Sequence, residues 1–346
     1  MSERAVKVHG AGDLRVEDVA PPAPRDDEAV VRIRYGGICG SDLHYWRDGA
    51  VGSFRVRQPM VLGHEVVGTV DVPAADGTGP AAGTDVAIHP AETCGTCRWC
   101  RAGQANRCPH CRYLGSAAHL PHTDGGFRDQ LAVPAARLVP LPAGLDLRRA
   151  ALAEPASVAW HAVDRAAAVG PGVDGASVLV VGAGPIGLLC AAVAAHRGAR
   201  TVTVVDVHDA PLRTSALIGA TATVKVADLP AREPVHEVVF EASGSAPGLA
   251  SAVRHTDRGG AVVAVGQHPD VDQPFPASPL VTGELTLAGS LRIGDELPDV
   301  VAFLAGAGAR LDPIVSHVVG VDRTLDAFAV AGDPAVSSKV LLDFGG

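Results

Sequence analysis

Ser177-Val178-Leu179-Val180-Val181, followed at once by Gly182-Ala183-Gly184-Pro185-Ile186-Gly187, is the stretch that decides the fold. A continuous apolar run of this length reads as a strand buried on both faces of a parallel sheet. The glycines then open an alanine-rich helix that runs to about His196. A second strand, Thr201-Val202-Thr203-Val204-Val205, ends on Asp206. A lone Gly-x-Gly-x-x-Gly is weak and also fits a glycine turn in a flavodoxin-like domain. Strand, turn, helix, strand and acid in that order predict a dinucleotide site. Gly182, Gly184, Pro185, Ile186 and Gly187 would bring backbone and a helix N-terminus to a pyrophosphate, while Asp206 accepts bonds from ribose hydroxyls. A 2′-phosphate would meet that carboxylate, and no Lys or Arg follows until Arg213, so NAD is favoured over NADP. Further strands are expected over 237–241 and 261–266, and the alternation to about residue 289 predicts a doubly wound α/β sheet.

The rest of the chain is large enough for a second domain. It has 346 residues, 47% hydrophobic, with 40 glycines, which describes a globular and loop-punctuated protein. The net charge of −9 without a basic cluster argues against a nucleic-acid partner. No apolar run approaches the ~20 residues of a membrane span, and Met1-Ser2-Glu3-Arg4 starts no signal peptide. A soluble, cytoplasmic protein with no membrane partner is expected. Seven cysteines in such a compartment point to metal binding rather than to disulfides.

Upstream, residues 5–35 and 60–90 alternate in short apolar runs broken by Pro and Gly, as β strands joined by turns. Two segments on this scaffold carry chemistry: Gly36-Gly37-Ile38-Cys39-Gly40-Ser41-Asp42-Leu43-His44-Tyr45-Trp46 and Leu62-Gly63-His64-Glu65. Cys39 and His64 are a thiolate and an imidazole, the pair zinc prefers, and Glu65 adds a hard oxygen. Three protein ligands with one open position describe a catalytic zinc, although either residue alone is as well a buried thiol or a loop imidazole. Cys94, Cys97, Cys100 and Cys108 repeat the Cys-x-x-Cys step and suit a closed, structural zinc, with Cys111 as a competing fourth ligand. Residues 112–128, with His119 and His122, read either as a solvated connection or as a substrate-facing loop. Glu154 precedes Pro155 at an expected helix start, where a carboxylate favours the helix dipole. Tyr45 and Trp46 form an apolar wall or simply join the core. The tail returns to a strand over 285–292, a helix over 298–307 and a closing strand over 340–344.

Cys39-x-Ser41-Asp42-x-His44, Gly63-His64-Glu65-x-x-Gly68, the four-cysteine lobe, Glu154-Pro155 and the glycine fingerprint jointly resemble the zinc-dependent medium-chain alcohol and polyol dehydrogenases. The resemblance covers essentially the whole chain. It implies a β-rich GroES-like catalytic domain, residues 1–152 completed by 290–346, and a Rossmann domain over 153–289, with the active site in the cleft. It implies two zincs per chain and NAD as cofactor. Cys39, His64, Glu65 and Glu154 would form the catalytic zinc shell, with either carboxylate as the direct ligand. Asp42 would hold His64 and fix its tautomer. Ser41 and His44 would carry the hydroxyl proton to solvent. The dinucleotide contacts would extend to Val265, Gly266, Ser290 and Arg292.

Within that family, Ile38–Tyr45, 153–162 and Gly289-Ser290-Leu291-Arg292 are similar to the sorbitol and L-idonate dehydrogenase branch. Residues 48–54, Gly115-Ser116 and Pro121-His122-x-Asp124-Gly125-Gly126-Phe127 resemble its L-idonate side. The substrate implied is a sugar acid or polyol, whose carboxylate Arg292 would meet, with Tyr45, His119 and His122 as further contacts. A neutral polyol such as sorbitol or xylitol, L-threonine, or a non-catalytic NAD-binding role are the alternatives. The branch commonly has an Arg five residues after the ribose-binding Asp, and here that position is Pro211. A homodimer or homotetramer is the assembly implied.

Overall fold

The computed structural model describes residues 3–233 and 235–345; Met1, Ser2, Pro234 and Gly346 lie outside the described residues. The chain divides into two compact units. One comprises Met1–Glu154, Leu297–Asp333 and Lys339–Gly346; the other comprises Pro155–Glu296 with Pro334–Ser338. The expected breaks at 152/153 and 289/290 differ from these by a few residues. Among the described residues no helix is long and apolar enough to cross a membrane.

The first unit is built on a seven-stranded sheet whose path runs Leu138–Pro140, Asp85–Ile88, Glu65–Val72, Glu28–Gly37, Lys339–Asp343, Val315–Gly320. Gln130–Pro134 also pairs with Glu28–Gly37. The central strand Glu28–Gly37 buries Val31 and Ile33, which join Val66, Val70, Phe127, Phe328 and Leu342 in one core. Lys339–Asp343 lies antiparallel to it, with Leu341 opposite Gly37 and Asp343 opposite Tyr35. On its other side Gly37 is opposite Glu65. Three neighbouring strands therefore bring residues 37, 65 and 339 to one end of the sheet. A side chain at Gly37 is excluded: a Cβ would stand 3.1 Å from Glu65 Cβ and collide with its carboxylate.

The second unit is a six-stranded, all-parallel sheet in the order Ala222–Lys225, Thr201–Asp206, Ser177–Val181, His236–Glu241, Thr256–Ala264, Thr286–Gly289. Ser177–Val181 is buried at every position, as its unbroken apolar run requires. The helix Pro185–His196 buries residues 187–194 against the sheet. Sequence order reverses between Ser177–Val181 and His236–Glu241, the switch point of a doubly wound sheet.

Some expected bounds move. Val265 and Gly266 follow the end of Thr256–Ala264, and the strand expected over 285–292 is Thr286–Gly289, so Ser290, Leu291 and Arg292 lie beyond it. The helix expected to enter at Pro155 starts at Ala153, which puts Glu154 in its first turn.

Gly37→Ala is expected to lower unfolding free energy by about 1–3 kcal/mol through overpacking. Gly40→Ala, where a Cβ would meet nothing within 4 Å, is the matched control and should change it little. Urea denaturation of both variants checks the difference.

Candidate metal and dinucleotide sites

Cys39 is the N-cap of the helix Gly40–Asp48, in extended backbone at φ −95° and ψ 159°. Asp42, in the first turn, closes a capping box: its Oδ2 accepts from the Cys39 amide at 2.9 Å, and its Oδ1 accepts from the Gly63 amide at 3.3 Å. One fully buried carboxylate thus fixes both segments that carry the candidate ligands. Its distance to His64 Nδ1 is 4.0 Å, so Asp42 faces the ring without the hydrogen bond expected to set the tautomer. That expectation is corrected: Asp42 positions backbone, and acts on His64 by charge.

Cys39, His64 and Glu65 each offer a donor atom within 4.8 Å of the other two. Glu154 is outside that triangle, its Oε1 accepting from Tyr113 Oη at 2.6 Å. Lys339, missed in the sequence, donates to Glu65 Oε1 at 2.7 Å, to Glu65 Oε2 at 2.6 Å and to the Ile38 carbonyl at 3.0 Å. Asp42, Glu65, Glu154 and Lys339 are all buried. Three buried carboxylates and a thiol face one ammonium, an imbalance that a divalent cation would offset.

The titration directions share that cause. Burial raises the Glu154 carboxyl and the Asp42 carboxyl above their ordinary values. Burial opposes charge on His64, yet the Cys39 thiolate, Asp42 and Glu154 lift its pKa well above 6.5. Burial likewise opposes charge on Lys339, but Glu65 and Cys39 outweigh it and raise its pKa.

The second cluster is the cysteine lobe. Sγ separations are 3.5 Å for Cys97–Cys100, 3.5 Å for Cys94–Cys108 and 4.0 Å for Cys94–Cys100. A tetrahedron of Zn–S bonds has edges of about 3.8 Å, so the four sulfurs stand ready for zinc. Amides of Thr96 and Cys97 lower the Cys94 thiol to about 6. Cys111 is buried beside the lobe but outside the four-sulfur group, which leaves Cys108 as the fourth donor.

Other expected contacts prove to be internal. Tyr45 is in the core, its hydroxyl accepting from the Ala117 amide at 3.0 Å, and Trp46 packs against the same cluster. His122 is held at both nitrogens, Nδ1 to the His119 carbonyl at 2.8 Å and Nε2 to the Arg57 amide at 2.9 Å. His119 Nε2 meets the Cys111 carbonyl at 3.0 Å. Tyr45 and His122 therefore tie the loop down. Ser41 is half-buried in the first turn after Cys39, and His44 is exposed with Nδ1 at 2.9 Å from Asp48 Oδ2.

In the second unit, Gly182 has φ 97°, and a Cβ on it would come 2.8 Å from the Ser243 amide nitrogen. A Cβ on Gly187 would run into the Gly182 carbonyl oxygen, while one on Gly184, the N-cap of Pro185–His196, would meet nothing within 4 Å. The turn is closed on the protein side and open at the helix N-terminus, as a bound pyrophosphate requires. Asp206 Oδ2 accepts from the Ala183 amide at 2.7 Å and Oδ1 from the His208 amide at 2.8 Å. Val265 and Gly266 donate their amides to the Glu241 carbonyl at 2.8 and 2.9 Å. Ser290 Oγ is buried with no partner among the described residues, and Arg292 takes left-handed backbone at φ 55°. A closed glycine turn, an open helix end and an orphan hydroxyl fit a dinucleotide. Pro211 is buried inside the helix Asp209–Ile218.

Comparison with known proteins agrees with this chemistry. Residues 25–143 match the alcohol dehydrogenase GroES-like domain family, and residues 185–306 match the zinc-binding dehydrogenase family. L-idonate 5-dehydrogenase (NAD(P)(+)) of Escherichia coli K12 is 35% identical over 320 residues, 91% of each chain. The crystal structure of L-idonate 5-dehydrogenase from Escherichia coli K-12 superposes with a TM-score of 0.92 at 33% identity, covering 99% of this chain and 98% of that one. Sorbitol dehydrogenase of Gallus gallus is 33% identical over 335 residues, 94% of this chain and 92% of its own.

Two metals per chain are expected by elemental analysis. Cys39→Ser should lose one and keep the fold, whereas Cys97→Ser should lose the other and destabilise the lobe; equal effects on fold would contradict two separate sites. Lys339→Met leaves Glu65 buried without a counter-charge, a loss of about 3–5 kcal/mol in the metal-depleted protein. Zinc should recover part of that loss, read as a larger zinc-induced Tm rise than in the parent.

Proposed function

This chain belongs to the zinc-dependent medium-chain alcohol and polyol dehydrogenases, and from that premise we propose that it oxidises L-idonate reversibly to 5-keto-D-gluconate. The observation that carries this reading is the likeness, over nine-tenths of both chains, to the Escherichia coli L-idonate enzyme. When bound, zinc supplies Lewis acidity toward the substrate oxygen and the nicotinamide supplies the carbon that takes the hydride.

The chain's own residues divide the remaining work. Cys39, His64 and Glu65 hold the ion, since these three form the compact donor triangle. Glu154, just outside it, is the alternate oxygen. Lys339 tempers the charge of Glu65, so the site binds a dication without an unbalanced anion beside it. Ser41, in the first turn after Cys39, would take the hydroxyl proton, and His44 would release it to solvent. With Nδ1–H given to Asp48, His44 Nε2 carries the free lone pair and would accept the proton before releasing it to solvent. Gly182, Gly184, Pro185, Ile186 and Gly187 cradle the pyrophosphate, Asp206 takes the adenosine ribose, and Val265, Gly266 and Ser290 border the nicotinamide end. A carboxylate at Asp206 opposes a 2′-phosphate, which favours NAD although the relative's name admits both cofactors. Arg292 is the cation we assign to the substrate carboxylate. The working assembly is a cytoplasmic homodimer or homotetramer with no nucleic-acid or membrane partner.

A neutral polyol is the second reading, supported by the sorbitol dehydrogenase relative at nearly the same identity. Initial rates on L-idonate, sorbitol, xylitol and L-threonine, each with NAD and NADP, decide between them. L-idonate with NAD should give the highest kcat/KM; a higher value on sorbitol would overturn the sugar-acid assignment. Arg292→Leu is expected to cut kcat/KM on L-idonate about 10–100-fold, the worth of a charge-assisted pair, while leaving sorbitol nearly unchanged. Equal losses on both would remove Arg292 from the carboxylate.

A further inference from the structure

We propose that Tyr113 is a positioning residue that ties the four-cysteine lobe to the catalytic metal cluster by fixing the Glu154 carboxylate. The inference rests on reading Glu154 as the alternate oxygen of the metal site formed by Cys39, His64 and Glu65.

Three contacts of one side chain carry it. Strand Arg112–Tyr113 pairs antiparallel with Ala91–Glu92, Tyr113 opposite Ala91, and these two short strands close the segment that bears the four cysteines. The Tyr113 ring belongs to the apolar cluster of that lobe, with Ala91, Cys108 and Cys111, against which Cys94, Cys97 and Cys100 pack. Its edge meets the His64 ring at 5.6 Å between centroids and 62° between planes. Its hydroxyl donates to Glu154 Oε1 at 2.6 Å in a buried setting.

The consequence follows from geometry. Tyrosine has only two rotatable side-chain bonds, so ring packing in the lobe sets where the hydroxyl stands. A short hydroxyl–carboxylate bond away from water is among the stronger kinds, so the hydroxyl in turn sets where the carboxylate stands. A lobe that loses its shape would move the ring, and Glu154 would lose its donor. The metal held by the four cysteines thereby acts on the catalytic site through one phenol, besides holding its own loop together.

Tyr113→Phe keeps the ring and removes only the donor. In the holoenzyme, with cobalt(II) exchanged into the catalytic site and zinc kept in the cysteine lobe, the variant should retain two metals per chain and nearly the parent Tm. Its visible cobalt spectrum should shift, and a chelator should strip the catalytic metal about tenfold faster, as for loss of a partner that orients a ligand. In a Glu154→Ala background, which has no acceptor for the hydroxyl, the same substitution should add no further change. Glu154→Asp, which withdraws the carboxylate from an intact Tyr113, should reproduce the spectral shift and serves if Tyr113→Phe fails to fold. An unchanged spectrum and release rate in Tyr113→Phe, or a full-sized effect in the Glu154→Ala background, would overturn the proposal. These readouts use no substrate, so a failure of the L-idonate assignment leaves them standing.

Discussion

A buried ammonium between two strands that are far apart in sequence is the contact on which the catalytic unit depends. Lys339 and Glu65 sit 274 residues apart in the chain, yet the ammonium grips both carboxylate oxygens because their strands flank the same central strand. Glu28–Gly37 must end in glycine there, since its neighbour's carboxylate fills the space a side chain would need. Sheet order, a missing Cβ and a charge pair are thus one arrangement seen three ways. A buried pair of this kind adds little to stability over apolar packing, but losing one member is costly. It serves here to hold a carboxylate in place, at a spot where a metal can share it.

Around that pair the chain has gathered more negative than positive charge. Desolvation alone would drive such carboxyls neutral and the imidazole uncharged. The directions on Glu154 and Asp42 follow that rule, whereas His64 and Lys339 go against it, drawn up by the anions around them. A cluster of this kind is tuned to accept positive charge. The cysteine lobe reaches the same end differently, with backbone amides aimed at sulfur rather than with a counter-ion.

The two architectures were legible in the sequence because their signals are local. The glycine fingerprint, its strand and its acid lie within thirty residues of one another, and the cysteine spacing within fifteen. Cys39 and His64 were legible as a pair only because motif context reversed the odds on each. What the sequence hid is long-range. A single Lys at the head of the apolar run Lys339-Val340-Leu341-Leu342 was a usable sign of a buried charge, but nothing local tells which carboxylate it meets. Tyr113 looked like part of a polar loop, and its role needs the lobe's fold to be known. The backbone contacts of Tyr45, His119 and His122 were equally hidden, because a polar side chain in the sequence does not tell which distant amide or carbonyl it satisfies.

The discontinuous make-up of the first unit has a consequence for its biogenesis. Its central sheet takes Lys339–Asp343 between Glu28–Gly37 and Val315–Gly320, so the middle of that sheet stays incomplete while the whole nucleotide-type unit is being translated. At roughly 5–20 residues per second, the carboxylate at position 65 waits on the order of tens of seconds on the ribosome for its ammonium. During that interval the end of Glu28–Gly37 that Lys339–Asp343 will cover, residues 35–37, is open to other strands, whereas Gln130–Pro134 already covers its beginning.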